Sequence, residues 1–483
     1  MPRFKNNFAS LPDAFYSRVN SSALKHPHWV IRNHQLASEL GIDWQVDVND
    51  RWLGAFSGAA PPSGSQPLAM VYAGHQFGQF VAQLGDGRGL LLGDLPIQGQ
   101  PYELHLKGAG QTPYSRFGDG RAVLRSCIRE YIGSEALHAL GVPTTRALCI
   151  TSGSDTVWRE TQEPAAMLVR VAQSHVRFGS FEYFHYSGQH ERVQALADYC
   201  IANYFPAITA LQGAERYQAM LQLVVERTAI LIAHWQAVGF AHGVMNTDNM
   251  SIIGDTFDFG PYGFLDEYDP AYICNHTDYH GRYAFNAQPQ IGFWNVNALA
   301  HSLSSLLDQE GRETALARYE PTLIEKYEAL MSAKLGLLEQ QTGDSELIFE
   351  WLDLLKTNGA DYNLGFRRLG DALETGEDEH LRAQFSGSAV LFNTWLSKYR
   401  TRVSASEQGK MASVALMQRS NPIYIVRNHL AQEAIEQADN GIYAPLEQLL
   451  ELVSNPYQEK QGCERFAMVA PAWSKQLEIS CSS

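Results

Sequence analysis

The sequence predicts an α+β protein with two lobes, a β-rich N-lobe followed by a helical C-lobe with a long helical extension at its C-terminal end. Strand-like alternation and glycine turns are concentrated before about residue 188, whereas long helical patterns dominate after it. Apolar residues make up 45% of the 483 residues and charged residues 18%, a globular balance that can supply a large core. We expect a cleft between the two lobes.

The N-lobe is predicted over residues 67–188, after an irregular N-terminal extension over 1–66. Residues 81–84 and 90–95 flank the turn Gly-Asp-Gly-Arg-Gly at 85–89, which predicts a hairpin. A helical spacing of apolar residues predicts one helix over 122–140. The strands predicted next to these elements are 102–107, 146–151 and 166–172, the last two on either side of a segment that opens with a turn at 152–155.

The C-lobe is predicted over residues 189–483. Its helical pattern at 216–238 is apolar nearly all round, which is typical of a buried helix. The helices predicted beyond it are 295–308, 313–340, 346–357, 379–400 and 423–437.

Charge and cysteine content limit the classes of partner. Lys and Arg number 37 against 52 Asp and Glu, so the formal net charge is −15. A chain this acidic repels phosphate backbones at long range, and we expect no nucleic-acid partner; a polyanion site would need a local basic cluster. The first residues lack the apolar core of a secretory signal. The longest uncharged apolar stretch worth testing for a membrane span, 228–247, is too polar to be one. The six cysteines show no paired metal spacing, which predicts mostly reduced thiols. Together these observations predict a cytoplasmic protein with no membrane association.

Oxygen-bearing side chains follow the predicted buried helix closely. His242 opens a loop that reaches Asp248 and Asn249, and the tripeptide Asp258-Phe259-Gly260 comes shortly after. Carboxylate and amide oxygens are the ligands that Mg²⁺ prefers. Each motif alone has an ordinary explanation, because Asp-Asn pairs are common in turns and a D-F-G tripeptide arises by chance.

The order of the motifs resembles the protein-kinase signature set of glycine turn, strand lysine, helix glutamate, catalytic loop and D-F-G. Lys107 ends a predicted strand, and Glu130 lies on the predicted helix that follows. The pattern departs at Val244, two positions after His242, where a kinase has its catalytic aspartate. Either the chain is catalytically inactive or the base has moved, and Asp248 is then the available carboxylate.

Longer strings make the resemblance more specific. Between about residues 72 and 289, segments such as YAGHQFGQFVAQLGDGRGLLLGD, HGVMNTDNMSI, DFGPYGFLD and HTDYHGRYAFNAQP look like the selenoprotein O (SelO/YdiU) family. The resemblance implies a protein-kinase-like fold and an enzyme that transfers AMP from ATP, rather than phosphate, to Ser, Thr or Tyr hydroxyls of proteins. UMP transfer from UTP is also attributed to bacterial members of the family.

The resemblance also implies site residues. It places the following residues at the nucleotide: Gly85, Gly87, Arg88, Lys107, Asp119, Gly120, Arg170, Arg177 and Asp258. Asp248 matches the catalytic base, and Asn249 and Asp258 match the ligands of Mg²⁺ or Mn²⁺. Glu130 would be the helix partner of Lys107, with Glu135 as the alternative. The nucleotide would bind in the reverse sense to a kinase, with its terminal phosphates deep against the basic residues and its α-phosphate facing the protein substrate.

Two other functions stay open. A kinase would transfer the γ-phosphate, although Val244 stands where its base should be. A non-catalytic pseudokinase that senses nucleotide would have no need for both Asp248 and the predicted metal ligands.

Two cysteines suggest regulation. Family members carry selenocysteine or cysteine near the terminus, where this chain has Cys481, and Cys274 lies in the segment that corresponds to a kinase activation loop. A disulfide between Cys274 and Cys481 would pin the tail over the cleft; two free thiols are the alternative. His276, His280 and Asp278 look like a zinc set, but we expect no metal there.

Overall fold

The computed structural model describes residues 2–45, 50–403 and 407–477. It is a mixed α and β structure with a sheet-rich N-terminal part and a helical C-terminal part, which confirms the predicted order of elements at that level. The strands are β1 (Tyr16–Arg18), β2 (His28–Arg32), β3 (Leu68–Met70), β4 (Gly74–Gln76), β5 (Gln79–Val81), β6 (Gly89–Ile97), β7 (Gln100–Lys107), β8 (Ala122–Val123), β9 (Arg146–Trp158), β10 (Gln162–Ala172), β11 (Phe240–Ala241) and β12 (Gly263–Phe264).

The helices lie mostly after β10. They are α1 (His34–Glu39), α2 (Arg51–Phe56), α3 (Leu124–Ala139), α4 (Phe178–Tyr186), α5 (His190–Tyr204), α6 (Gly213–Val238), α7 (Gln288–Ser302), α8 (Gln309–Leu316), α9 (Tyr319–Lys334), α10 (Asp344–Thr357), α11 (Tyr362–Thr375), α12 (Glu379–Arg382), α13 (Ala389–Val403), α14 (Glu407–Ser420), α15 (Asn428–Asp439) and α16 (Ala444–Ser454). The buried helix predicted over 216–238 is α6, and Gly239 ends it in a left-handed conformation.

The main sheet has the strand order β1-β3-β6-β7-β10-β9-β2, with β8 paired to β10. The described part of the N-terminal extension is therefore not wholly irregular, because β1 pairs with β3 and β2 pairs with β9. The predicted turn at 152–155 is also wrong. These residues belong to β9, which continues to Trp158 opposite β10.

The predicted hairpin between 81–84 and 90–95 is wrong as well. Val81 ends β5, whose partner is β4, while β6 pairs with β7. Gln98 and Gly99 connect β6 to β7, and both have positive φ, at 49° and 83°. Two consecutive residues with positive φ form the tight turn that matches the twist of an antiparallel strand pair. The hairpin turn therefore lies at 98–99, and the glycines at 85–89 do not form it.

The later helices differ from the predicted ones mainly at breaks. The helix predicted over 313–340 is divided into α8 and α9, and Pro321 lies in the first turn of α9. The helix predicted over 379–400 is interrupted by a 3₁₀ segment at Ala383–Ser388, and the one predicted over 423–437 is α15, which begins at Asn428. Within the described ranges no helix is both long and apolar enough to cross a membrane.

Helix α3 positions the site because it contacts both halves of the structure. It packs on β9 and β10 of the sheet and, on another side, on α15 and α16. Its buried residues include Ile128, Ile132 and Leu137, which belong to the same apolar cluster as Trp235 of α6 and Leu430 of α15. Burial of this apolar surface fixes the helix, and with it Glu130, against the sheet.

Lys334 at the end of α9 gives a pH-dependent prediction. It is 5% exposed, and its ammonium lies 4.4 Å from the ring centroid of Phe366 and 5.4 Å from that of Tyr362. Burial lowers the pKa of Lys334 to about 7. Above that pH the unfolded chain binds a proton here that the folded chain does not, so this residue makes the free energy of unfolding rise with pH toward the usual lysine pKa. Lys334→Met is expected to raise the free energy of unfolding at pH 7 by roughly 2–4 kcal/mol.

Urea unfolding of wild type and Lys334→Met at pH 7 and pH 9 measures this effect. The difference between the two proteins should shrink at the higher pH. The exposed Lys356 of α10 supplies a matched control, since Lys356→Met should leave both values near wild type. Parallel pH profiles for wild type and Lys334→Met would show that Lys334 is not the group that titrates.

Candidate functional site

A cavity of about 760 Å³ is lined by the sheet, by the segment 114–121 and by the loop 244–260. Every residue that the family resemblance assigns to the nucleotide, the base or the metal lies on its lining. These residues are Gly85, Gly87, Arg88, Lys107, Asp119, Gly120, Arg170, Arg177, Asp248, Asn249 and Asp258. The structure thus brings together side chains from positions far apart in the sequence.

Lys107 at the end of β7 pairs with Glu130 of α3. Its Nζ lies 2.5 Å from Glu130 Oε2, and Arg170 of β10 donates from Nη2 to the same oxygen at 3.0 Å and from Nε to Oε1. Burial alone raises the pKa of Glu130, but the charges of Arg170 and Lys107 outweigh it and hold the pKa below its usual value. The alternative partner, Glu135, instead contacts Arg146 at 2.7 Å.

Asp258 of the D-F-G tripeptide is held by two arginines. Its Oδ1 lies 2.7 Å from Arg170 Nη2, and Arg177 Nη1 donates to its Oδ2. Burial alone raises the pKa of Asp258, but Arg177 and Arg170 outweigh it and hold the pKa well below its usual range. Asp258 has a φ of 60°, a backbone conformation that residues other than glycine adopt infrequently. Lys107, Arg170 and Arg177 are buried together around Glu130 and Asp258, and we call these three cations the basic cluster.

Asp248 lines the same cavity beside this basic cluster. Its Oδ2 accepts a hydrogen bond from Gln76 Nε2 at 3.2 Å, while its buried Oδ1 accepts none from the described residues. Its backbone carbonyl accepts from Arg177 Nη1 at 2.6 Å, which fixes the loop to the basic cluster. Burial raises the pKa of Asp248 to about 7, although the charge of Arg177 opposes the shift. A carboxyl group with a pKa near neutrality is suited to accept a proton. Val244, where a kinase has its base, is buried and apolar.

Gly85 and Gly120 lie so close to neighbouring parts of the chain that neither position has room for a side chain. Gly85 has a φ of 79°, and a Cβ there would lie 2.5 Å from the ring of Tyr114. Gly120 has a φ of 71°, and its Cβ would lie 2.1 Å from the backbone of Gly110. A side chain at either position would therefore disrupt the rim of the cavity.

Asp119 and Asn249 of the cavity lining both make hydrogen bonds to other residues of the chain. The Asp119 carboxylate accepts hydrogen bonds from Arg159 at 2.9 and 3.0 Å, and this pairing is the main cause that holds its pKa below the usual value. Asn249 donates from Nδ2 to the carbonyl of Val244 at 2.9 Å. This bond uses the amide nitrogen of Asn249, so its oxygen remains the atom suited to a cation.

The described residues include only one of the two cysteines of the predicted disulfide. Cys274 is buried, with its Sγ 3.5 Å from the carbonyl oxygen of Ala241. Cys481 lies outside the described residues, so a disulfide between the two remains a prediction. His276, His280 and Asp278 form no metal cluster, because no group of three or more His, Cys, Asp or Glu side chains suited to a metal occurs among the described residues.

Sequence reasoning missed the short hairpin of β4 and β5. His75 donates its amide to Thr247 Oγ1 at 2.7 Å, and its Nδ1 lies 2.5 Å from Glu182 Oε1. Thr247 in turn donates its hydroxyl to Glu182, which is fully buried. With the bond from Gln76 to Asp248, the hairpin is tied to the loop that carries the predicted base. The contacts between the hairpin and this loop join residues that lie about 170 positions apart in the sequence, so no local pattern signals them.

Comparisons with known proteins show the family of this chain. The sequence model of the family described as protein adenylyltransferase SelO matches residues 2–454. The protein nucleotidyltransferase YdiU of Vibrio vulnificus (strain YJ016) is 49% identical over 488 residues, covering 100% of this chain and 99% of the relative. The proteins of the same name from Pectobacterium carotovorum subsp. carotovorum (strain PC1) and Aliivibrio fischeri (strain MJ11) are 48% and 47% identical, and each alignment covers at least 98% of both chains. The resemblance inferred from the motifs is confirmed, and the chain belongs to the SelO family of protein nucleotidyltransferases.

Proposed function

We propose that this enzyme transfers AMP from ATP to a Ser, Thr or Tyr hydroxyl of protein substrates and releases pyrophosphate. The observation that carries the proposal is the position of Asp248, whose carboxyl group lines one cavity with the buried cations Lys107, Arg170 and Arg177. A polyphosphate needs such cations, and an attacking hydroxyl needs a proton acceptor.

In the proposed mechanism the β- and γ-phosphates bind toward the basic cluster, and the α-phosphate faces Asp248. Asp248 accepts the proton of the substrate hydroxyl as its oxygen attacks the α-phosphorus. The bond between the α-phosphorus and the bridging oxygen breaks, and pyrophosphate leaves with the electron pair. Glu130 holds Lys107 and Arg170 in place. The same geometry serves UTP and UMP transfer, because these groups contact phosphate rather than base.

The donor set fits Mg²⁺ or Mn²⁺. Asn249 and Asp258 line the cavity with an amide and an ionised carboxylate, and Mg²⁺ is usually bound by one or two carboxylates together with phosphate oxygens. A metal bound there would neutralise phosphate charge and polarise the α-phosphoryl group.

The finer architecture belongs to the same proposal. We propose a two-lobed protein-kinase-like fold, with lobe boundaries near residues 67 and 189, and a cytoplasmic location. The pairing of Lys107 with Glu130 and the nearness of the D-F-G aspartate support a kinase-like cleft.

Parallel incubation with ATP labelled at the α- or the γ-phosphate tests the reaction. Protein that retains only the α-label supports AMP transfer. Protein that retains only the γ-label would identify a kinase, and absence of both labels with ATP binding intact would favour a nucleotide sensor. The same assay with α-labelled UTP measures the choice between the two nucleotides.

Asp258→Asn is expected to remove the metal dependence of ATP binding. For wild type, added Mg²⁺ should raise ATP affinity on the order of tenfold, because the ionised Asp258 attracts the cation. The variant should bind ATP equally with Mg²⁺ and with EDTA. Isothermal titration calorimetry of both proteins under both conditions measures this, and a variant that still responds to Mg²⁺ would argue against Asp258 as a ligand.

A further inference from the structure

A second cavity of about 560 Å³ lies beside the nucleotide cavity. Its lining includes the segment 277–282 and, from α7, Gln290, Ile291 and Trp294. Phe77 and Thr277 line both cavities, so the two are neighbours. The proposed transfer reaction does not use this second space.

Arg282 is the distinctive group of this second cavity. Its guanidinium carbon lies 5.1 Å from the ring centroid of Trp294 and 5.8 Å from that of Tyr283, and its Nε is buried without a hydrogen-bond partner among the described residues. Within the described ranges no carboxylate lies within salt-bridge distance of it. Asp278, the acid on the same lining, accepts the backbone amides of Arg282 and Tyr283 at 3.0 and 2.7 Å. Arg282 is therefore a cation packed against two aromatic rings. Its guanidinium can still pair with the carboxylate of a bound molecule.

The second cavity has a fixed position relative to Asp248. The amide of Phe77, at the tip of the β4–β5 hairpin, donates to Asn246 Oδ1 at 3.2 Å and to the Tyr283 hydroxyl oxygen at 3.0 Å. Tyr283 donates that hydroxyl to Asn246 at 2.6 Å, and the neighbouring Gln76 donates to Asp248. One hydrogen-bonded unit thus connects the wall of the second cavity to the proposed base.

We propose that the second cavity binds an acidic side chain of the protein substrate, an Asp or Glu close in sequence to the modified hydroxyl, through Arg282. This proposal rests on the proposed function, since it names the acceptor that the same cleft takes. A residue next to the target in an extended segment lies about 3–7 Å away, which is the scale of the step between adjoining cavities. A guanidinium beside aromatic rings and partly shielded from water binds a carboxylate strongly and with defined geometry.

Peptide binding without chemistry tests the proposal. Two fluorescein-labelled peptides, Gly-Glu-Tyr-Glu-Gly and Gly-Gln-Tyr-Gln-Gly, are titrated by anisotropy with the full chain in the presence of α,β-methylene-ATP, whose α–β bond is not cleaved. Wild type should bind the glutamate peptide about tenfold more tightly than the glutamine peptide. Arg282→Gln should remove that preference and leave the affinity for the ATP analogue unchanged.

Arg32→Gln is the matched control. Arg32 of β2 also lies over two rings, at 5.4 Å from Trp29 and 5.8 Å from Trp44, but it is absent from the linings of both cavities. This variant should keep the preference for the glutamate peptide. Equal binding of both peptides by wild type, binding of neither, or a preference that survives Arg282→Gln would each overturn the proposal. A wild-type preference without α-label transfer would instead leave the acidic subsite standing and reject AMP transfer.

Discussion

Asp248→Asn is expected to slow nucleotide transfer by about 10²–10⁴-fold, the usual contribution of a positioned general base. Asparagine keeps the shape of the side chain and can still bond Gln76, but it cannot accept the proton of the attacking hydroxyl. ATP affinity should change little, because the predicted phosphate contacts are made by Lys107, Arg170 and Arg177. Transfer of α-label to protein, together with calorimetric ATP binding, measures the two effects separately.

Asp255→Asn provides the matched control. Burial raises the pKa of Asp255 to about 7, as it does for Asp248, with the charge of Arg227 opposing the shift. Asp255 lies only seven residues further along the chain but is absent from the cavity lining. The control should transfer label at the wild-type rate. Wild-type activity of Asp248→Asn would remove this residue from the mechanism, and equal loss in both variants would point to general disruption of the loop.

Sequence motifs led to several residues of the cavity lining. Asp248, Asn249 and Asp258 were identified from their spacing after His242 and from the family resemblance, and all three line the cavity. The partner of Lys107 could not be chosen from the sequence, because Glu130 and Glu135 both lie on α3. The choice depends on which face of the helix meets the end of β7 and which meets Arg146, and tertiary packing decides that.

Other features of the fold could not be predicted from local sequence patterns alone. The hairpin was predicted at the glycines of 85–89, but the pairing of β6 with β7 places it at Gln98-Gly99. The bonds of His75 and Gln76 to the loop at 246–248 cross about 170 residues of sequence, and no short-range pattern encodes such a contact. Arg282 lies in the family-like segment 276–289, but its position near Phe77 depends on how α7 and the β4–β5 hairpin pack together.

Glu130→Gln is expected to lower the free energy of unfolding by about 3–5 kcal/mol, the usual result of removing one partner from a buried ion pair. Glu130 is 1% exposed and bonds both Lys107 and Arg170, so its neutral replacement leaves two buried cations without their shared counter-charge. ATP affinity should also fall, because these two cations lose the group that orients them. Urea unfolding and calorimetric ATP titration measure the two losses.

Glu135→Gln is the control that distinguishes the positioning of Lys107 and Arg170 by Glu130 from a general loss of stability. Glu135 lies five residues later on the same helix and pairs with Arg146, away from the cavity, so its replacement should destabilise the fold to a similar degree without affecting ATP affinity. If only Glu130→Gln weakens ATP binding, Glu130 acts by holding Lys107 and Arg170 in the cavity. If both variants weaken it equally, the cavity responds to any loosening of α3, and the pairing of Lys107 with Glu130 has no particular role in binding the nucleotide.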